Sequence, residues 1–79
     1  MFVYALQSER DKGIYIGMAA DVERRVKEHN AGYNRSMRSR RPFRLFYGEE
    51  CGSHAEARER EKFLKSGQGR DFLRSRVDQ

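Results

Sequence analysis

Tyr4 and Tyr15, the pair Arg25 and His29, and Glu61 are the residues of this chain whose types and spacing could do chemistry. Arg25 stays charged at any ordinary pH and carries a planar fork of donors that fits phosphate or carboxylate oxygens. His29, with an ordinary pKa of about 6.5, can exchange a proton at neutral pH, whereas a tyrosine at about 10 is a poor base there. Glu61 falls with Ala57 and Leu64 on the i, i+4, i+7 stripe by which a helix faces a core. A carboxylate in that place is costly unless it has a partner. Taken singly, each member has a plainer reading. Tyrosines pack well in half-buried sheets, Arg25 and His29 suit a helix surface, and helical glutamates are ordinarily solvated.

Position decides between those readings. Phe2 to Leu6 and Gly13 to Gly17 are rich in aromatic and β-branched residues, and the polar stretch between them reads as a hairpin turn. Alternation puts Phe2, Tyr4 and Leu6 on one face of the first strand and separates Tyr15 from Ile14 and Ile16 on the second. Asp21 offers a cap for a helix running to Asn30, and Gly32 ends it. Val22 and Val26 form the inward stripe of that helix, with Arg25 and His29 beside it, overlooking the sheet, and with Arg24 and Lys27 turned to water. Pro42 favours extended backbone at Arg41, and Phe43 to Tyr47 reads as a third strand. Ser53 and Glu56 have the spacing of a capping box, opening a helix that runs to Lys65 until Ser66 and Gly67 break it. A last helix is expected over Arg70 to Val77, burying Phe72, Leu73 and Val77. The expected fold is α/β of the α+β kind: a three-stranded antiparallel sheet flanked by about three helices, in the order β-β-α-β-α-α.

Composition narrows the partner. The 79 residues hold 17 Lys and Arg against 12 Asp and Glu, a net charge of +5, and arginine outnumbers lysine 13 to 4. That balance suits a polyanion. Between His29 and Gly48 there is no acidic residue, while Arg35, Arg38, Arg40, Arg41 and Arg44 crowd a segment that also holds Tyr33, Asn34 and serines. This basic loop reads as a surface that follows a phosphate backbone. Cys51 is the lone cysteine, which excludes an internal disulfide and fits a reducing cytoplasm. With only His29 and His54 beside it, a closed tetrahedral zinc site is excluded too. No stretch approaches the ~20 apolar residues of a membrane helix, and Met1 to Leu6 lacks the features of a signal peptide.

Phe2-Val3-Tyr4, Tyr15-Ile16-Gly17, the segment Asp21 to Asn30 and the segment Ala57 to Gly67 together resemble the GIY-YIG nuclease core over nearly the whole chain. The likeness extends to small members related to the nuclease domain of the bacterial excision-repair incision subunit. Phe-Val-Tyr stands where the first motif commonly reads Gly-Ile-Tyr, Met18 stands where a lysine often follows the second, and no asparagine follows Asn34. The resemblance implies one nuclease domain over residues 1–79, with Tyr4, Tyr15, Arg25, His29 and Glu61 converging on one face. It implies that Glu61 holds a single divalent ion, magnesium or manganese, and that Arg25 steadies the phosphoryl group. Tyr4, Tyr15 or His29 would orient and deprotonate the attacking water.

The expected activity is metal-dependent endonuclease cleavage of DNA with low sequence specificity, structure-selective in repair or recombination, with no small-molecule cofactor. Two other readings stand beside it. One is a non-catalytic DNA- or RNA-binding module, in which Glu61 only pairs with Arg25. The other is an interaction or ribosome-associated protein whose basic charge is an address.

Overall fold

The structure, a computed structural model, describes residues 1–77. Three antiparallel strands, β1 (Phe2–Ser8), β2 (Ile14–Ala19) and β3 (Phe43–Glu50), lie in the order β2-β1-β3. Helix α1 (Val22–Asn30) follows β2, and α2 (His54–Lys65) and α3 (Gly67–Val77) follow β3. The expected sheet and element order are therefore present. In the register, Tyr4 pairs with Gly17 and Leu6 with Tyr15, so the two tyrosines share a face.

That face and its opposite each carry a core. On one, Val3, Ala5 and Ile16 pack against Ala57, Leu64 and Leu73 from α2 and α3. On the other, Tyr4, Leu6, Ala19, Met37 and Phe43 gather Tyr15 together with Val22 and Val26 of α1. Leu64 and Leu73 are wholly buried, a state that stabilises by about 1.5–3 kcal/mol for each such side chain relative to exposure. Among the described residues no helix is long and apolar enough to cross a membrane.

The ends of the first two helices follow the sequence signals. Asp21 accepts a hydrogen bond from the Arg24 N–H at 3.1 Å, and Gly32 leaves α1 with a φ of +85°, a left-handed backbone that glycine adopts freely. Ser53 accepts from the Glu56 N–H at 3.1 Å. The Glu56 carboxylate reaches back one residue further than a capping box requires, to the Gly52 N–H at 3.1 Å.

Four expectations need correction. The basic segment is not a plain loop, because Arg35–Arg40 forms a 3-10 helix. Asn34 caps it by accepting from the Ser36 N–H, and the buried Met37 plugs it into the sheet. Strand β3 runs on to Glu50, since β1 offers pairing partners as far as Phe2. Helix α3 begins at Gly67 rather than Arg70, because the Ser66 hydroxyl accepts from the Gly69 N–H and caps it. Of the three apolar side chains assigned to its inner face, Leu73 is buried while Phe72 and Val77 are only half-buried.

Candidate active site

Tyr4 reaches its place because β2 offers bare backbone opposite it. A Cβ built on Gly17 would stand 2.7 Å from the Tyr4 hydroxyl and 2.9 Å from its Cζ, so the phenol ring lies across the glycine. Buried and wholly covered, Tyr4 points its hydroxyl at His29 Nε2, 3.4 Å away. Tyr15 completes the group, its ring centroid 5.0 Å from that of His29 in an edge-on contact and 6.4 Å from that of Tyr4. Phe43 closes the far side, 6.0 Å from His29.

Burial sets the protonation of this cluster. It pushes the Tyr4 phenol up to about 12, with Tyr15 and the carboxylate of Glu61 adding to the effect and Arg25 opposing it. The same loss of solvent, with the Arg25 charge nearby, holds His29 below its ordinary value, against a smaller opposing pull from Glu28. At neutral pH the pair is therefore a phenol and a neutral imidazole. His29 Nδ1 is buried with no hydrogen-bond partner among the described residues.

Arg25 sits one turn before His29 on α1, with about half of its side chain exposed. Its Nε lies 3.5 Å from Glu28 Oε1, while Arg24 Nε lies 3.3 Å from the other carboxylate oxygen. Arg25 and Glu28 border a groove of about 250 Å3 that Tyr15, His29, Tyr33 and Asn34 also line. A larger hollow of about 580 Å3 lies between the start of α1 and the end of β3, but Asp21, Glu23, Glu49 and Glu50 line it and would repel an anion.

Glu61 stands apart from the groove. It belongs to the inner stripe of α2, between the buried Ala57 and Leu64, and keeps 23% of its side chain exposed. Its nearest ionic contact is Lys65 on the same helix, 3.6 Å away, and not Arg25, whose partner is Glu28. Its charge still adds, as the smallest contribution, to the rise of the Tyr4 phenol. Among the described residues no three His, Cys, Asp or Glu side chains cluster as a metal cage. A single partly exposed carboxylate suits an ion that keeps most of its waters and shares its shell with phosphate, as magnesium does, and does not suit zinc.

The five loop arginines are unequal. Arg38 Nε donates to the Gly32 carbonyl at 3.0 Å, Arg41 Nε to the Arg38 carbonyl at 2.9 Å, and Arg40 pairs with Asp11 at 3.0 Å. Arg44 reaches Gln7 at 3.1 Å, and Arg35 is exposed. Two contributors were missed from sequence. Glu28 links Arg24 and Arg25 at spacings of four and three residues, which was legible in the helix pattern. Asn30 gives its side chain to both backbone groups of Phe43, at 2.7 and 3.1 Å, and so ties α1 to the start of β3. Nothing local in the sequence signals that contact.

The family model described as the GIY-YIG catalytic domain matches residues 1–72. A UPF0213 protein of Desulfotalea psychrophila is 41% identical over 66 residues, which cover 81% of this chain and 59% of that protein, so this chain spans less than two thirds of it. A UPF0213 protein of Haloquadratum walsbyi is 39% identical over 66 residues, covering 82% of this chain and 73% of its own. The solution NMR structure of a UPF0213 protein from Bacillus halodurans superposes with a TM-score of 0.56 at 35% identity, over 94% of this chain and 81% of that one. A family match across the sheet, α1 and α2, with relatives of this similarity, leaves one assignment: the chain belongs to the GIY-YIG family, whose domain is a nuclease fold.

Proposed function

We propose that this chain is one nuclease domain that hydrolyses DNA phosphodiester bonds with the help of a single divalent ion, magnesium or manganese, at low sequence specificity. The observation that carries the reading is the buried contact between the Tyr4 hydroxyl and a neutral His29, set beside Arg25 in a groove of a GIY-YIG fold. RNA is the second candidate substrate, distorted or branched DNA the preferred one, and repair or recombination in a reducing cytoplasm the fitting setting.

The chemistry follows from protonation. Tyr4 at about 12 cannot supply a phenolate at pH 7, whereas His29 can accept a proton. In the tautomer with Nε2 free, Tyr4 donates to His29, and its oxygen, fully covered in the free protein, accepts a proton from the attacking water once substrate binding uncovers it. The phenol then passes one proton while taking another and never becomes an anion. Such acid–base assistance contributes about a hundredfold to ten-thousandfold. Tyr15 holds the imidazole edge-on, and Arg25 binds the phosphoryl oxygens as their negative charge grows. Glu61 is the protein ligand for the ion. When bound, such an ion polarises the phosphoryl group and stabilises the departing 3′ oxygen.

The test is to incubate purified protein with single-stranded, duplex, flap and four-way DNA, with magnesium added or chelated. Magnesium-dependent nicking that tracks the protein through purification supports the reading. Binding without cleavage under every metal condition would replace it with the non-catalytic module.

A further inference from the structure

Tyr33 is 76% exposed, far more than Leu45 at 41% or Phe63 at 37%, the other exposed large apolar side chains of the described residues. Its backbone is nonetheless held. The Tyr33 N–H donates to the Glu28 carbonyl at 3.1 Å, Gly32 before it takes a φ of +85°, and Asn34 after it caps the 3-10 helix. A pinned root with an unpacked ring loses little freedom when something flat settles on it.

The ring also stands in a particular place. It lines the groove that holds Tyr15, Arg25 and His29, and it lines a neighbouring hollow of about 330 Å3 bordered by Arg24 and Lys27. Cations thus lie on both sides of one aromatic wall. Glu28 borders both hollows, but its carboxylate is shared between Arg24 and Arg25, and a strand whose phosphates meet Arg25 on one side and Lys27 on the other can lay one base over Tyr33.

From this placement we propose that Tyr33 is a stacking site for one unpaired nucleobase next to the phosphate at Arg25, an inference that rests on the nuclease reading and gives it a substrate preference. Every base has a π-face, so such a contact ignores sequence. It does not ignore structure. Bases inside a duplex already stack on their neighbours, and only a flap, junction, gap or single strand offers a free face.

The experiment measures affinity by fluorescence anisotropy with metal chelated, on a labelled single strand and its matched duplex. Tyr33→Ala and Tyr33→Leu are expected to weaken single-strand binding about tenfold and duplex binding less than about twofold, while Tyr33→Phe stays within about twofold on both. Strands with one abasic site, moved position by position, should show one position that costs the unaltered protein about the same tenfold and costs Tyr33→Ala nothing more.

Equal weakening of single strand and duplex, unchanged single-strand binding by Tyr33→Ala, or a loss in Tyr33→Phe as large as in Tyr33→Ala would overturn the stacking site. The last of these would assign a hydroxyl contact instead. Absence of binding to either strand by the unaltered protein would overturn both this inference and the nuclease reading. Protein that shows the expected affinities yet never nicks with magnesium would sink the nuclease reading alone and leave the stacking site standing.

Discussion

The hydroxyl of Tyr4 and Nε2 of His29 lie 3.4 Å apart although 25 residues separate them in the chain. Strand β1 brings one, the inner face of α1 brings the other, and burial tunes them in opposite directions: the phenol is held protonated and the imidazole is held neutral.

A pH profile reads that pair. Because His29 must be neutral to accept a proton and its pKa lies below 6.5, kcat/KM should rise with pH on the acid side, level off by about pH 7 and stay flat to about 9. A phenolate base at Tyr4 would behave differently, with the rate climbing about tenfold per unit toward 12. Nicking rates from pH 5 to 9 at fixed ionic strength separate the two, and a continuous climb would remove His29 from the role.

Gly17→Ala tests how the ring is seated. The added Cβ would come within 2.7 Å of the Tyr4 hydroxyl and 3.1 Å of Tyr15 Cε1, so both tyrosines must shift. Overpacking of this kind costs about 1–3 kcal/mol, and a displacement near 1 Å at reacting groups costs about a hundredfold in rate. Melting curves and nicking assays on one preparation check both numbers. Full activity with an ordinary melting temperature would show that the ring position is not demanding.

Much of this architecture was legible because its signals are local. Asp21, Gly32 and Ser53 mark helix ends with short-range chemistry, and alternation separates Tyr15 from Ile14 and Ile16, although only the strand register puts it on the face of Tyr4. The start of α3 was not, because Ser66 and Gly67 read as helix breakers. Gly69 is in fact required for close approach: a Cβ there would collide with the Phe63 carbonyl and the Leu64 backbone. The 3-10 helix was hidden for another reason, since one buried Met37 among polar residues leaves no periodicity to read. At the site, helix spacing predicted that Arg25 and His29 share a face with the valines. It could not show that Glu61 would lie outside the groove.

The loop arginines divide by what they already hold. Arg35→Ala should reduce the salt slope of DNA binding by about one unit with no change in melting temperature, as expected for a lost phosphate contact. Arg38→Ala should lower both affinity and stability, because its Nε holds the Gly32 carbonyl at the exit of α1. The loss of that bond should cost about 0.5–1.5 kcal/mol or somewhat more. Salt titrations and thermal melts on the two variants check the division, and identical behaviour would contradict it.

Glu61→Gln is the most direct test of the central claim, that a carboxylate on α2 equips this site for metal-dependent cleavage. The substitution keeps size and most hydrogen bonding, and the contact it weakens, a single partly exposed ion pair with Lys65, contributes at most about 1 kcal/mol. Nicking of supercoiled plasmid with magnesium should therefore fall by orders of magnitude, while DNA affinity persists or tightens and the melting temperature barely moves. Nicking by Glu61→Gln at the rate of the unaltered protein, above all with lost thermal stability, would contradict the account and return Glu61 to a structural role.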